Sequence, residues 1–187
     1  MQVLLDADSV DRSLRRIAGE IAERTRGAEG LLLVGIRRGG PRLAEKLAAF
    51  VQELEHRSVP IGTVDITFYR DDAATRLPNP RIGPSDIPGQ LDGRHVVLVD
   101  DVLFTGRTVR AALDALLDYG RPQRVELAVL VDRGGRELPI QADYVGKASD
   151  VGAFDRVDVV EVDGRLTAIV QSADSPSLPP PPGGPVG

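Results

Sequence analysis

Residues Val96 to Thr108 read Val-Val-Leu-Val-Asp-Asp-Val-Leu-Phe-Thr-Gly-Arg-Thr: four apolar residues, two adjacent carboxylates and a small-residue turn. A buried strand of this kind delivers Asp100 and Asp101 to its carboxyl end, where open α/β sheets bind ligands near a switch in strand order. Val102, Leu103 and Phe104 lead into Thr105-Gly106-Arg107-Thr108. That turn offers backbone N–H groups and hydroxyls at the start of a helix, where the positive end of the dipole favours a phosphate. Taken singly, an acid pair at a strand end also serves as a helix cap or metal ligand set, and Thr-Gly before a helix serves as an N-cap turn. In unbroken order they describe a ligand that has hydroxyls for the acids and a phosphate for the loop. A ribose 5-phosphate has both.

Two further segments carry polar chemistry. Gly35-Ile36-Arg37-Arg38-Gly39-Gly40 lies between an apolar run and a helical pattern. Its glycines permit close backbone approach, and its arginines bring bidentate donors suited to phosphate oxygens. On composition alone it is equally a solvated strand-to-helix loop. Asp132-Arg133-Gly134-Gly135-Arg136-Glu137-Leu138-Pro139-Ile140, followed by Ala142-Asp143-Tyr144-Val145-Gly146-Lys147, reads as a polar turn and an edge strand. Neither His56, placed after a helix, nor His95, placed before the acidic strand, has sequence partners that suggest a triad or a metal site.

The elements that must position these groups alternate. Val10, Leu14, Ile17, Ala18 and Ile21 recur at helical spacing and predict a helix over about Ser9 to Arg26, capped by Ser9 or Asp8. Leu31 to Ile36 reads as a short buried strand, and Pro41 opens a second helix carrying Leu43, Leu47, Val51 and Leu54. Alternation at Val64, Ile66 and Phe68 predicts a strand; Val96 to Val99, Arg107 to Tyr119 and Val125 to Val131 predict strand, helix, strand. The order implies an α/β fold with a mostly parallel sheet flanked by helices. From about Asp71 to Gly93 the periodicity disappears among prolines and glycines, so this stretch is either a lid or a surface excursion. Residues 172–187, rich in Ser, Pro and Gly, cannot bury enough apolar surface to order themselves, leaving residues 1–171 as one domain.

With 187 residues and 42% hydrophobic content the chain can bury a substantial core. The absence of cysteine removes thiol catalysis, disulfides and thiolate zinc sites. No basic leader and no apolar stretch near bilayer length is present, which predicts a soluble cytoplasmic protein. A formal charge of −5 argues against a diffusely basic nucleic-acid binder, though not against a local basic face.

The run from Val96 to Thr108 resembles the ribose-phosphate signature of the type I phosphoribosyltransferases. The resemblance implies their fold, with a small hood and a flexible lid loop over a mostly parallel sheet. It gives Asp100 and Asp101 the catalytic place beneath the ribose of phosphoribosyl pyrophosphate, and Val102, Leu103, Phe104, Thr105, Gly106, Arg107 and Thr108 the 5-phosphate loop. Arg37, Arg38 and Gly39 match the pyrophosphate loop, in which a cis peptide is frequent. Arg70, at the lid entry Tyr69-Arg70-Asp71-Asp72, is implied to contact pyrophosphate or a neighbouring subunit. The implied cofactor is Mg²⁺, held mainly by the substrate rather than by direct protein ligands.

Matches at Val97 to Val109 and Asp114 to Pro122, with the Arg-Glu-Leu-Pro-Ile segment, narrow the likeness. Over about Val3 to Val170 the chain resembles the bacterial pyrimidine-operon attenuators that are also uracil phosphoribosyltransferases. Implied partners are uracil, UMP and a leader RNA, with assembly as a homodimer or larger. Val131, Asp132 and Arg133 fall where those proteins build the base pocket, and Arg15, Arg16, Arg136 and Lys147 are the cations left to meet RNA. Gly19, Gly135 and Gln141 stand where histidine or arginine is usual. Each missing cation removes a phosphate contact. The alternatives are therefore a transferase with weakened or lost RNA binding, one acting on another base, and, outside the family, a phospho-accepting receiver domain.

Overall fold

The computed structural model describes residues 2–71 and 85–172. Most of the predicted lid and all but the first residue of the predicted tail lie outside them. The described elements are β1 (Gln2–Leu5), α1 (Ala7–Arg24), β2 (Leu31–Ile36), α2 (Gly40–Glu55), β3 (Ile61–Val64), β4 (His95–Leu103), α3 (Arg107–Leu117), β5 (Arg124–Asp132), β6 (Tyr144–Ala148), β7 (Arg156–Val162) and β8 (Arg165–Gln171). Five strands form a parallel sheet in the order β3-β2-β4-β5-β6. A second, antiparallel sheet joins the chain ends in the order β1-β8-β7.

Apolar alternation along β2 and β4 splits the core into two layers. Leu31, Leu33, Val97 and Val99 pack with α1 and α2, while Leu32, Val34, Val96 and Leu98 pack with α3. The α1 stripe of Val10, Leu14, Ile17, Ala18 and Ile21 is fully buried. Each large member contributes about 1.5–3 kcal/mol by leaving water. The small sheet packs on this layer through β8 against α1, and β7 lies against β4. That places β7 as a hood over the carboxyl end of the main sheet.

Two predicted boundaries are corrected by local hydrogen bonding. Asp6, not Ser9 or Asp8, caps α1: its Oδ1 accepts from the Ser9 N–H at 2.8 Å, so the helix begins at Ala7 and ends at Arg24. The predicted strand through Val64, Ile66 and Phe68 stops at Val64. There Asp65 Oδ1 accepts from the Thr67 N–H at 2.9 Å and the Thr67 hydroxyl at 2.5 Å, a local turn that competes with the ladder. Two extents also differ: β4 continues through Leu103, and α3 ends at Leu117, two residues before Tyr119.

Chain order reverses direction between β2 and β4: β3 lies to one side of β2, and β4, β5 and β6 extend to the other. Loops leaving those two neighbouring strands diverge, which opens a crevice at their carboxyl ends. No helix of the described residues is long and apolar enough to cross a membrane.

Candidate active site

A cleft of about 390 Å³ occupies that crevice, lined by Arg37, Arg38, Gly39, Ile66, Arg70, Asp100, Asp101, Val102, Thr108, Arg156, Val157 and Asp158. The structure thus brings together the acid pair, the arginine loop, Arg70 and the start of α3.

Because β4 runs on to Leu103, Asp100 and Asp101 sit within the strand; Asp100 pairs in register with Val129, and Val102 with Val131. Asp100 is 5% exposed. Its Oδ1 accepts from the Asp101 N–H at 3.0 Å, and Asp101 Oδ1 accepts from the Val102 N–H at 2.8 Å. Burial and then the neighbouring Asp101 charge push the Asp100 carboxyl well above its usual range, and burial raises Asp101 as well. A site so arranged favours positive charge arriving above it.

Beyond the acids, Leu103 and Gly106 are buried, Thr105 and Thr108 half-buried, and Phe104 and Arg107 exposed. Gly106 has φ +92° and caps α3, and the Thr105 Oγ1 accepts from the Arg107 N–H at 3.3 Å. On the facing loop the Arg37–Arg38 peptide bond is cis. Gly39 has no room for a side chain, since a Cβ would stand 2.2 Å from the Asp101 Oδ2. The arginine loop and the acid pair are therefore in van der Waals contact through residue 39.

Val131, Asp132 and Arg133 lie at the end of β5 beside the cleft but are not among its lining residues. Asp132 accepts from Arg136 Nη2 at 2.6 Å and from the Gly134 N–H at 3.0 Å; burial opposes ionisation, but these donors hold its carboxyl below the usual range. Arg133 is 8% exposed. Its guanidinium donates to the carbonyls of Asp155 (2.6 Å) and Gly152 (3.1 Å) and stacks 4.0 Å from the centre of the Phe104 ring. Arg133 so ties the hood connection to the loop after β4.

The four cations assigned to RNA are differently employed. Arg15 pairs with Glu53 at 2.8 Å and covers Phe50; Arg16 pairs with Glu20 and donates to the carbonyls of Val145 and Gly146. Arg136 donates to Asp132 and to the carbonyls of Phe104, Gly134 and Ile140. Lys147 is exposed near the end of β6. Gly135 has φ +73°, and a Cβ there would stand 2.3 Å from the Phe104 ring, so the residue packs under an aromatic ring.

Two cleft residues of the hood, Arg156 and Asp158, are not singled out by the sequence. Arg156 and Asp158 are two apart on β7, which puts both on one face, and Arg156 Nε donates to Asp158 Oδ1 at 2.7 Å. Their period-two spacing was the available signal. Ile66, beyond the end of β3, also lines the cleft.

Residues 4–163 match the family model of the phosphoribosyl transferase domain. Three relatives called bifunctional protein PyrR cover most of the chain. Those of Roseiflexus sp. (strain RS-1) and Geobacter sulfurreducens are each 54% identical, over 89% and 90% of this chain and 92% and 96% of their own. That of Thermus thermophilus is 53% identical over 87% of this chain and 91% of its own. The fold is also that of the hypoxanthine phosphoribosyltransferase of Trypanosoma cruzi, with TM-score 0.67 at 21% identity over 91% of this chain and 95% of that one. A hypoxanthine phosphoribosyltransferase from Staphylococcus aureus gives TM-score 0.63 at 20% identity over 82% and 80%. The receiver-domain alternative ends with these matches. The chain belongs to the phosphoribosyltransferase family, in the group of the bifunctional PyrR proteins.

Proposed function

We propose that the chain transfers the ribose 5-phosphate unit of phosphoribosyl pyrophosphate to uracil, forming UMP and pyrophosphate, and that it binds pyrimidine-operon leader RNA when a uridine nucleotide is held. One observation carries the first half: Asp100, Asp101, Val102 and Thr108 meet Arg37, Arg38 and Gly39 across a single cleft at the switch between β2 and β4.

In this reading Thr105 to Thr108 hold the 5-phosphate with backbone N–H groups and hydroxyls at the α3 start. Arg37 and Arg38 hold the pyrophosphate, and Gly39 lets that loop close on Asp101. As the bond from the anomeric carbon to pyrophosphate breaks, positive charge grows on the ribose. Asp100 and Asp101 stabilise it more than they stabilise the ground state, which is the condition for acceleration. A divalent ion in this cleft would be held mainly by substrate oxygens, with Asp100 and Asp101 the carboxylates that line the cleft beside it. Bound Mg²⁺ supplies charge neutralisation at the leaving pyrophosphate. Val131–Arg133 frame the base, and Arg70 reaches the pyrophosphate side.

Incubation with uracil, Mg²⁺ and phosphoribosyl pyrophosphate should release pyrophosphate and form UMP. Inactivity with uracil, hypoxanthine, guanine and orotate alike overturns the enzymatic reading. For the second half, a leader-RNA gel shift that appears only with UMP is expected. A second reading, a transferase with weakened RNA binding, is favoured by the engagement of Arg16 and Arg136 in carbonyl contacts. A shift seen at no UMP concentration selects it.

A further inference from the structure

Hydrogen bonds at Phe104, Thr105 and Arg107, and packing at Gly106, join the 5-phosphate loop to the segment after β5. The Phe104 carbonyl accepts from Arg136 Nη1 at 3.0 Å. The Thr105 carbonyl accepts from the N–H groups of Glu137 (2.9 Å) and Leu138 (3.1 Å). Gly106 packs beneath Ile140 and Leu138, whose Cβ atoms lie 3.3 and 3.5 Å from where its own would be. Arg107 Nε donates to Glu137 Oε2 at 2.6 Å, while its Nη1 donates to Asp71 at 2.8 Å. One exposed ion pair alone would join the segments only weakly. Here the contacts fall on adjoining residues of both segments.

We infer that Glu137 is a positioning residue that couples the two: a nucleotide phosphate held at Thr105–Thr108 fixes the conformation of Arg136–Ile140, the loop that carries Arg136. The inference rests on the proposed nucleotide site and adds the route by which its occupancy reaches the RNA-facing loop. A phosphate that draws on the Thr105–Thr108 amides restrains the same peptide units whose Thr105 carbonyl receives Glu137 and Leu138. Glu137 holds the Arg107 side chain against that loop. By reciprocity, RNA engaging the loop tightens the nucleotide by the same factor.

The test measures hydrogen exchange at the Glu137 and Leu138 amides in the full chain, with and without UMP, alongside UMP affinity by calorimetry and leader-RNA affinity. In the wild type UMP should slow both amides at least fivefold. Glu137→Gln should bind UMP within about threefold of wild type, lose most of that protection, and reduce the UMP-dependent gain in RNA affinity at least fivefold. UMP bound in the cleft without any change at these amides overturns the inference, even if RNA binding responds to UMP. Full protection retained in Glu137→Gln also overturns it. Protected amides with no RNA shift leave the coupling standing and overturn the RNA reading instead.

Discussion

Each end of the parallel sheet buries carboxylate charge, and the two ends treat it oppositely. At the carboxyl end Asp100 and Asp101 have backbone N–H groups and each other for company, and both are pushed toward protonation, chiefly by burial. At the amino end Glu126 of β5, 2% exposed, accepts from Tyr144 Oη and pairs with His95 Nε2, each at 2.7 Å. It also faces Arg124 (2.7 Å) and Arg24 (3.2 Å). Burial opposes ionisation there too, but the bonds from Tyr144, His95 and Arg24 win and lower its carboxyl below the usual range. Comparable exposure therefore gives opposite electrostatics, decided by whether partners are built in. The amino end has its partners built in; the carboxyl end leaves its acids facing the cleft.

The comparison breaks hardest at the acid pair. Asp100→Asn with Asp101→Asn should lower kcat/KM by roughly 10³, the scale of losing a preorganised electrostatic stabiliser. Thermal stability should hold or rise, because two reluctantly ionised buried groups are removed. A melting temperature that falls by many degrees would mean the acids support the fold as Glu126 does.

Glu126→Ala should reverse that pattern. Removing one member of a buried ionic cluster strands His95, Arg24 and Arg124 and costs about 3–5 kcal/mol. Urea unfolding should read that loss, while kcat/KM per folded molecule stays near wild type.

Acidity sharpens the contrast because the signs differ. Glu126 has a folded pKa below its unfolded 4.5, so its contribution is present above about that pH and is lost as pH falls through the lowered folded value. Asp100 has a folded pKa above its unfolded 3.8, so stability is fully present below that value and declines as pH rises through the raised folded one. Unfolding free energies from pH 3 to 8 should show the rising-pH decline in wild type and its reduction in Asp100→Asn. A parallel pair of curves would contradict the raised Asp100.

Smallest is the exposed pair of Arg15 and Glu53, more than half exposed on both sides. Arg15→Ala should cost ~0.2–1 kcal/mol by denaturation, with part of it from lost cover over Phe50.

What could be read from the chain followed its locality. The Val96–Thr108 run is contiguous, so strand, acids and phosphate turn appear in order, and the helical stripe from Val10 to Ile21 announces its own buried face. The hood was implied only by family resemblance: β1, at Gln2–Leu5, pairs with β8, more than 160 residues later, and a four-residue strand carries no period strong enough to show this. Arg156 and Asp158 join the cleft only through that closure. His95 seemed partnerless because Glu126 lies 31 residues away on the adjacent strand.

By itself, then, the sequence determined the alternating elements, the acid pair and the Thr105–Thr108 turn, since each depends on torsions and hydrogen bonds spanning a few residues. Tertiary structure decided which loops share the cleft, what roofs it, and which buried carboxylate is pushed up and which held down. Those outcomes depend on strand order and on burial among groups far apart along the chain, and local spacing does not encode either.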